Sequence, residues 1–258
     1  MGEDLHQEQP SLFEEMVRNT RPENVGIIVY TSGTTGRPKG AMISQKNMIS
    51  MIQGLSQVLD FGPSDSFVSS LPLCHIAELM FSLIFTIWSW CVVNYAETEA
   101  TLQEDLREIS PTAYLTVPRI WEKMHSNIMI KIEDAAFFKR RIFKVMMPIG
   151  ERVAEYELNS RPLPIHWRAL NGLAYFLLFR ALRNQLGLLK TRILASGAAP
   201  LSSDIMKFFH SIGVPIREAY GLTEITGICT MPRDEEIKIG GEVGKPIPGV
   251  ECKLAEVG

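Results

Sequence analysis

The most constraining feature of this sequence is a segment rich in glycine and hydroxyl residues that follows an apolar stretch. Residues 25–30 are apolar and partly β-branched, a pattern typical of a strand. They lead directly into Thr31-Ser32-Gly33-Thr34-Thr35-Gly36-Arg37-Pro38-Lys39-Gly40. The glycines permit a tight turn with outward-facing N–H groups, while the hydroxyls and Lys39 can hold phosphate oxygens. This segment therefore predicts a loop that binds a polyanion.

The spacing within this loop separates it from the P-loop NTPase pattern. Gly33 and Gly36 are three residues apart, and Lys39 is followed by Gly40 rather than by serine or threonine. A simple polar hairpin loop is the alternative interpretation. Phosphate binding is favoured over a simple hairpin loop, because hydroxyl groups, glycines and a lysine are concentrated directly after an apolar strand.

Short apolar runs alternate with helical patterns along most of the chain. Strands are predicted at residues 67–71, 91–95, 113–117 and 192–195. Ser44 is the predicted N-cap of a helix that ends at about Leu59. Pro118 is the predicted first residue of another helix, and Ser202 is the predicted N-cap of a helix that ends at about Ser211. This alternation predicts an α/β fold with mainly parallel sheets flanked by helices.

Residues 119–190 break the alternation and predict a largely helical insert, interrupted at Pro148 and at Arg161-Pro162-Leu163-Pro164. Its second half, residues 165–189, is strongly apolar, with basic residues at its edges: Arg168, Arg180, Arg183 and Lys190. A helix packed on the sheet is the favoured interpretation. Peripheral contact with a membrane surface is the alternative.

Charge and cysteine content exclude several classes of function. The net charge is −3 and the pI is about 6.0, so electrostatic binding to nucleic acid is not expected. The four cysteines include no C-x-x-C pair, which indicates a reducing, cytoplasmic location. Residues 79–96 are uncharged but contain scattered polar side chains. They predict a buried helix and a core strand rather than a membrane span.

Four further motifs occur in order after the phosphate loop. They are Leu71-Pro72-Leu73-Cys74-His75-Ile76-Ala77-Glu78, Ser196-Gly197-Ala198-Ala199-Pro200-Leu201, Glu218-Ala219-Tyr220-Gly221-Leu222-Thr223-Glu224, and Gly241-Glu242-Val243-Gly244-Lys245-Pro246 with Pro248-Gly249. The five motifs together resemble those of the adenylate-forming superfamily, which contains acyl-CoA synthetases, luciferases and peptide-synthetase adenylation domains. Residues 117–123 and the helical insert are most similar to long-chain fatty acid–CoA ligases.

The resemblance implies a reaction in two halves. A fatty acid carboxylate attacks the α-phosphate of ATP to give an acyl-adenylate and pyrophosphate, and the thiol of coenzyme A then displaces AMP. Mg²⁺ is the implied metal. A ligase for a medium-chain or aryl carboxylate is the alternative within this class.

The resemblance also implies a role for individual residues. Glu224 would hold Mg²⁺, Thr223 would donate to the α-phosphate, and His75 would lie near the acyl group, although a buried structural histidine is the alternative. Tyr220 would stack on adenine. The full set of implied ATP-binding residues is Thr31, Ser32, Gly33, Thr34, Thr35, Gly36, Lys39, Gly197, Ala198, Tyr220, Gly221 and Thr223, and the implied catalytic set is Lys39, His75, Thr223 and Glu224.

The resemblance covers residues 1–258 as a partial AMP-binding domain, without the mobile C-terminal domain of the family. An isolated chain of this extent is expected to be inactive. A non-catalytic remnant that binds a nucleotide or lipid is therefore the second functional hypothesis.

Overall fold

The computed structural model describes residues 2–31, 37–238 and 241–255, and this part of the chain contains eleven α-helices and ten strands. The strands are β1 (Val25–Thr31), β2 (Lys39–Ser44), β3 (Ser66–Ser69), β4 (Val92–Tyr95), β5 (Ala113–Thr116), β6 (Ile193–Ser196), β7 (Arg217–Glu218), β8 (Tyr220–Leu222), β9 (Gly227–Met231) and β10 (Lys245–Pro246). The helices are α1 (Gly2–Glu8), α2 (Leu12–Asn19), α3 (Gln45–Leu55), α4 (Ile76–Leu79), α5 (Thr86–Ser89), α6 (Leu102–Ile109), α7 (Pro118–Glu133), α8 (Phe137–Leu158), α9 (Ile165–Ala174), α10 (Arg180–Leu186) and α11 (Ser203–Ser211). Met80–Phe85 and Tyr175–Phe179 are π-helical, and Thr223–Ile225 and Asp234–Glu236 are 3₁₀ turns.

A five-stranded parallel sheet with the order β4-β3-β5-β6-β7 forms the centre of the fold. Successive residues of its strands face opposite sides, as the two-residue period of a strand requires. On β5, Ala113 packs with α3 and the 76–89 helices, whereas Tyr114 packs with α6–α11. Helices thus cover both faces of the sheet, which confirms the α/β prediction.

Two antiparallel pieces accompany the parallel sheet. β1 pairs with β2 as a hairpin, and β8-β9-β10 form a separate small sheet. The alternation of strands and helices did not predict either piece. β1 ends at Thr31 and β2 starts at Lys39, so the predicted phosphate loop does follow a strand directly. Its residues Ser32, Gly33, Thr34, Thr35 and Gly36 lie outside the described part of the chain.

The predicted start of α3 is confirmed, while its predicted end is wrong. The Ser44 hydroxyl accepts a hydrogen bond from the Asn47 amide, and the Asn47 side chain accepts one from the Ser44 amide, which forms a capping box. The helix ends at Leu55 rather than near Leu59. Residues 56–59 continue as turns in which the Leu59 amide still donates to the Leu55 carbonyl.

The helical insert is confirmed, with one correction. Pro118 is the first residue of α7, and the 161–164 segment separates α8 from α9. The predicted interruption at Pro148 is wrong, because this proline lies inside the continuous helix α8. An internal proline costs a helix about 3 kcal/mol. Burial of Met147, Gly150 and neighbouring residues against α9 and α11 offsets that cost.

The uncharged stretch 79–96 folds as three short helical pieces and a strand. Its buried side chains include Met80, Phe81 and Phe85, as the prediction of a buried helix requires. β4 is not a core strand, because it pairs only with β3 at the edge of the sheet and leaves Val92 and Tyr95 exposed. Within the described residues, no helix is both long enough and apolar enough to cross a membrane.

A buried carboxylate links three strands at their amino-terminal ends. Asp65 accepts hydrogen bonds from the Thr112 hydroxyl (2.7 Å), the Gly62 amide (2.8 Å) and the Arg192 guanidinium (2.6 Å). Burial raises the pKa of Asp65, but these hydrogen bonds outweigh it and hold the pKa below its ordinary value. Asp65, Thr112 and Arg192 directly precede β3, β5 and β6, respectively. The cluster therefore helps to align these three strands. The candidate site lies at their opposite, carboxyl ends.

Candidate functional site

A cavity of about 750 Å³ lies at the carboxyl ends of the parallel strands. This is where an open α/β sheet ordinarily binds its ligand. Leu71, Val117, Gly197 and Ala219 follow β3, β5, β6 and β7, and all four line the cavity. The β1–β2 hairpin and the small antiparallel sheet supply further walls.

The hairpin contributes basic and hydroxyl groups. Thr31, Arg37 and Lys39 line the cavity, and the Thr31 hydroxyl donates to the Lys39 carbonyl (3.4 Å) across the hairpin. The described residues at the two ends of the predicted loop therefore belong both to the hairpin and to the cavity wall. Arg37 belongs to the loop motif, but the sequence assigned it no role.

Thr223 and Glu224 reach the same cavity on a 3₁₀ turn that directly follows β8. This turn contacts β2, the strand that begins at Lys39, and Lys39 lines the same cavity. Glu224 is exposed and Thr223 is half-buried. The cavity thus brings Lys39 together with Thr223 and Glu224, which lie 184 and 185 positions further along the chain.

His75 lines the cavity and also caps α4. Its Nδ1 accepts a hydrogen bond from the Ala77 amide (3.2 Å). Since Nδ1 is an acceptor, the proton of the neutral ring lies on Nε2, which is left as the donor. His75 is half-buried rather than enclosed in the core. It can therefore present one fixed N–H group to a ligand.

Gly197, Ala198 and Gly221 also line the cavity, but Tyr220 does not. Ala198 has a φ of 71°, a left-handed conformation that costs a non-glycine residue energy and is enriched at functional sites. Tyr220 lies on β8, 48 % exposed, and is not a buried core tyrosine. Its stacking on adenine stays a prediction.

Three buried polar side chains in the lining had no role in the sequence-based prediction: Glu78, Thr116 and Ser196. Glu78 accepts a hydrogen bond from the Leu71 amide (3.0 Å) through Oε2. Its Oε1, and the hydroxyls of Thr116 and Ser196, have no hydrogen-bond partner within the described residues. Buried polar groups are ordinarily paired, so these atoms are available to a ligand or to water. Thr116 and Ser196 are the last residues of β5 and β6, whereas Glu78 lies on α4 at the end of the motif that begins at Leu71.

The rest of the lining is apolar. Phe67 and Phe81 have ring centroids 6.2 Å apart, and Ile76, Leu115 and Ile228 also belong to the wall. Trp121 is not part of this wall and lies in the core between Tyr114 and Phe209. One cavity thus combines charged and hydroxyl groups with an apolar surface.

Comparison with known proteins identifies the family of this chain. The family model for AMP-binding enzymes matches residues 2–258. The peroxisomal long chain acyl-CoA synthetase 7 of Arabidopsis thaliana is 32 % identical over 238 residues, which are 92 % of this chain and 32 % of that protein. The long-chain-fatty-acid–CoA ligase ACSBG2 of Rattus norvegicus is 33 % identical over 227 residues, 85 % of this chain and 33 % of its own length.

A solved structure of similar fold is O-succinylbenzoate coenzyme A synthetase of Bacillus subtilis in complex with ATP and magnesium. The two structures align with a TM-score of 0.63 and 17 % sequence identity. The alignment covers 92 % of this chain and 38 % of the synthetase chain. At this identity the likeness concerns the fold. This chain belongs to the AMP-binding enzyme family, and it spans about a third of the length of the two curated relatives described above.

Proposed function

We propose that the protein is an AMP-forming ligase that activates a long-chain fatty acid with ATP and transfers the acyl group to coenzyme A. The observation that carries this proposal is the convergence of Lys39, His75, Thr223 and Glu224 on one cavity that also has an apolar wall. Such a cavity offers binding groups for the phosphates and for an acyl chain together. The names of the two curated relatives support the long-chain substrate.

Catalysis in this proposal rests on positioning and charge neutralisation. Lys39 and the Thr31 hydroxyl bind phosphate oxygens, and Thr223 donates to the α-phosphate, where negative charge builds up during attack by the carboxylate. The Nε2–H of His75 orients the acyl carboxylate for that attack. Gly197 and Ala198 flank adenine and Tyr220 stacks on it, and the coenzyme A thiol then displaces AMP.

Glu224 is the proposed ligand of Mg²⁺. The described residues contain no group of three or more acidic, histidine or cysteine side chains that could form a complete metal cage. Magnesium ordinarily keeps several waters and is bound by one or two carboxylates together with substrate phosphates. A single carboxylate beside a phosphate-binding hairpin fits that pattern. When bound, the metal supplies positive charge to the phosphate oxygens.

Chain-length preference tests the substrate proposal. Each additional buried methylene contributes about 0.8 kcal/mol, so two more of them already give more than a tenfold gain in kcat/KM. We expect kcat/KM for hexadecanoate to exceed that for octanoate or benzoate at least tenfold. We measure kcat/KM from the rate of pyrophosphate release. The assay uses residues 1–258 together with any coding sequence that flanks them in the gene. Preference for octanoate or benzoate would contradict the long-chain assignment, and ATP binding without turnover would favour the non-catalytic remnant.

We also propose peripheral contact of α9 and the π-helical stretch after it with an anionic membrane surface. Leu178 and Phe179 are buried in the core, as expected for a helix packed on the sheet. Ile165 and Phe176, in contrast, are 84 % and 77 % exposed, and the nearby Arg168 and Arg180 are exposed as well. Exposed apolar side chains beside basic ones suit an anionic lipid surface.

Vesicle binding tests this contact. Phe176→Asp is expected to lower co-sedimentation with phosphatidylserine-containing vesicles at least threefold, because it removes apolar area and adds repulsion. Phe13→Asp is the matched control, since Phe13 on α2 is 74 % exposed and lies outside this surface. Equal binding by the two variants would exclude the proposed surface.

A further inference from the structure

A cysteine of the small antiparallel sheet lies beside a cysteine of the segment that follows the sheet. Cys229 is buried on β9, Cys252 is exposed, and their Sγ atoms are 3.0 Å apart. They are 23 positions apart in the sequence. Their proximity is therefore a product of the fold, and the proposed ligase chemistry uses neither thiol.

A turn brings the two cysteines together. β10 pairs antiparallel with β9, and the Ile247 amide then donates to the Cys229 carbonyl (3.0 Å). Pro248 and Gly249 form the centre of a turn that the Val250 amide closes onto the Ile247 carbonyl (3.1 Å). Gly249 has a φ of 88°, which this turn requires at its third position and which glycine adopts without strain. The turn carries the chain back so that Cys252 lies against Cys229.

We propose that Cys229 and Cys252 are a dithiol modification site at which a peroxide forms one intramolecular disulfide. The exposed Cys252 thiol attacks the peroxide first, and the O–O bond breaks to give a sulfenic acid and water or an alcohol. The Cys229 sulfur then displaces hydroxide from that sulfenic acid, and the thiol proton leaves with it as water. The two thiols together lose two electrons and two protons, and the peroxide is reduced.

The environments of the two thiols fit this order of events. Burial and the neighbouring Cys252 sulfur raise the pKa of Cys229 to about 11, so this thiol stays protonated at neutral pH. A protonated, buried thiol is a poor first target for an oxidant, whereas an exposed one is reached directly. Cys229 then acts only once an electrophilic sulfur stands beside it.

The bond would tie the segment after β10 to a strand that carries part of the cavity wall. Gly227 and Ile228, immediately before Cys229, both line the cavity. Closing a loop of this length restricts the unfolded chain by about 3 kcal/mol, which is expected to raise the melting temperature by roughly 6–12 °C.

Peptide mapping of the intact protein tests the proposal. The protein is treated with hydrogen peroxide, denatured, alkylated and digested, and we expect a cross-linked peptide containing Cys229 and Cys252 that dithiothreitol removes. The melting temperature should rise on oxidation and return on reduction. Cys252→Ser should lose both effects, and because this side chain is exposed, the variant is expected to fold.

Cys74→Ser is the matched control, since Cys74 is also exposed but distant in sequence from the pair. It should retain the cross-link and the temperature shift. A cross-link from Cys252 to a cysteine other than Cys229 would overturn the proposal. Over-oxidation of Cys252 while Cys229 remains a free thiol that is alkylated would overturn it as well. A cross-link of Cys229 to another cysteine that forms equally in the Cys252→Ser protein would also overturn it.

Discussion

Replacing Glu224 with glutamine is expected to lower the rate of acyl-adenylate formation at least tenfold, or by about 1.4 kcal/mol or more of transition-state stabilisation. The substitution keeps the shape of the side chain and removes the charge that would hold Mg²⁺ beside the phosphates. Glu224 is exposed on the 3₁₀ turn, so its loss should not affect folding. The measurement is carboxylate-dependent exchange of pyrophosphate into ATP.

Glu122→Gln is the matched control for this substitution. Glu122 is an exposed residue of α7 and is not part of the cavity lining, so its variant should exchange pyrophosphate at the original rate. A second readout is magnesium dependence, because the Glu224→Gln protein should need a higher Mg²⁺ concentration for half-maximal activity. Unchanged exchange at low Mg²⁺ in this variant would show that Glu224 has only a structural role.

The parts of the fold that the sequence predicted are those governed by local chemistry. Ser44 starts a helix because its hydroxyl can cap the Asn47 amide, and Pro118 starts one because its fixed φ suits the first turn. The strand before the phosphate loop was predicted from its apolar residues. The resemblance of the motifs to the adenylate-forming superfamily implied Lys39, His75, Thr223 and Glu224, and all four line the cavity.

The parts that the sequence did not predict depend on contacts between distant segments. Pro148 breaks isolated helices, but in α8 the packing against α11 decides the outcome. β4 is apolar enough for a core strand, yet only pairing determines that it lies at the edge. Thr116 and Ser196 look like ordinary strand residues, and only the fold brings their hydroxyls to the cavity.

Gly221→Ala is expected to destabilise the protein by about 3 kcal/mol. The rate of acyl-adenylate formation is expected to fall as well. A Cβ atom at Gly221 would lie 1.8 Å from the carbonyl oxygen of Gly227 and 2.7 Å from its carbonyl carbon. Both are backbone atoms of the paired strand β9, so no side-chain rotation can relieve the contact. The two strands must move apart, and β8 leads directly into Thr223 and Glu224. The expected fall in melting temperature is roughly 6–12 °C.

Gly197→Ala separates this effect on the strands from an effect on the cavity alone. A Cβ atom at Gly197 would contact only the Ala219 carbonyl oxygen, at an ordinary 3.4 Å, so the melting temperature should change by less than about 2 °C. Its methyl group would still stand in the cavity lining, where it should weaken nucleotide binding. The two variants therefore differ in stability while both lose activity. A Gly221→Ala protein with an unchanged melting temperature would mean that β8 and β9 do not pair as closely as described.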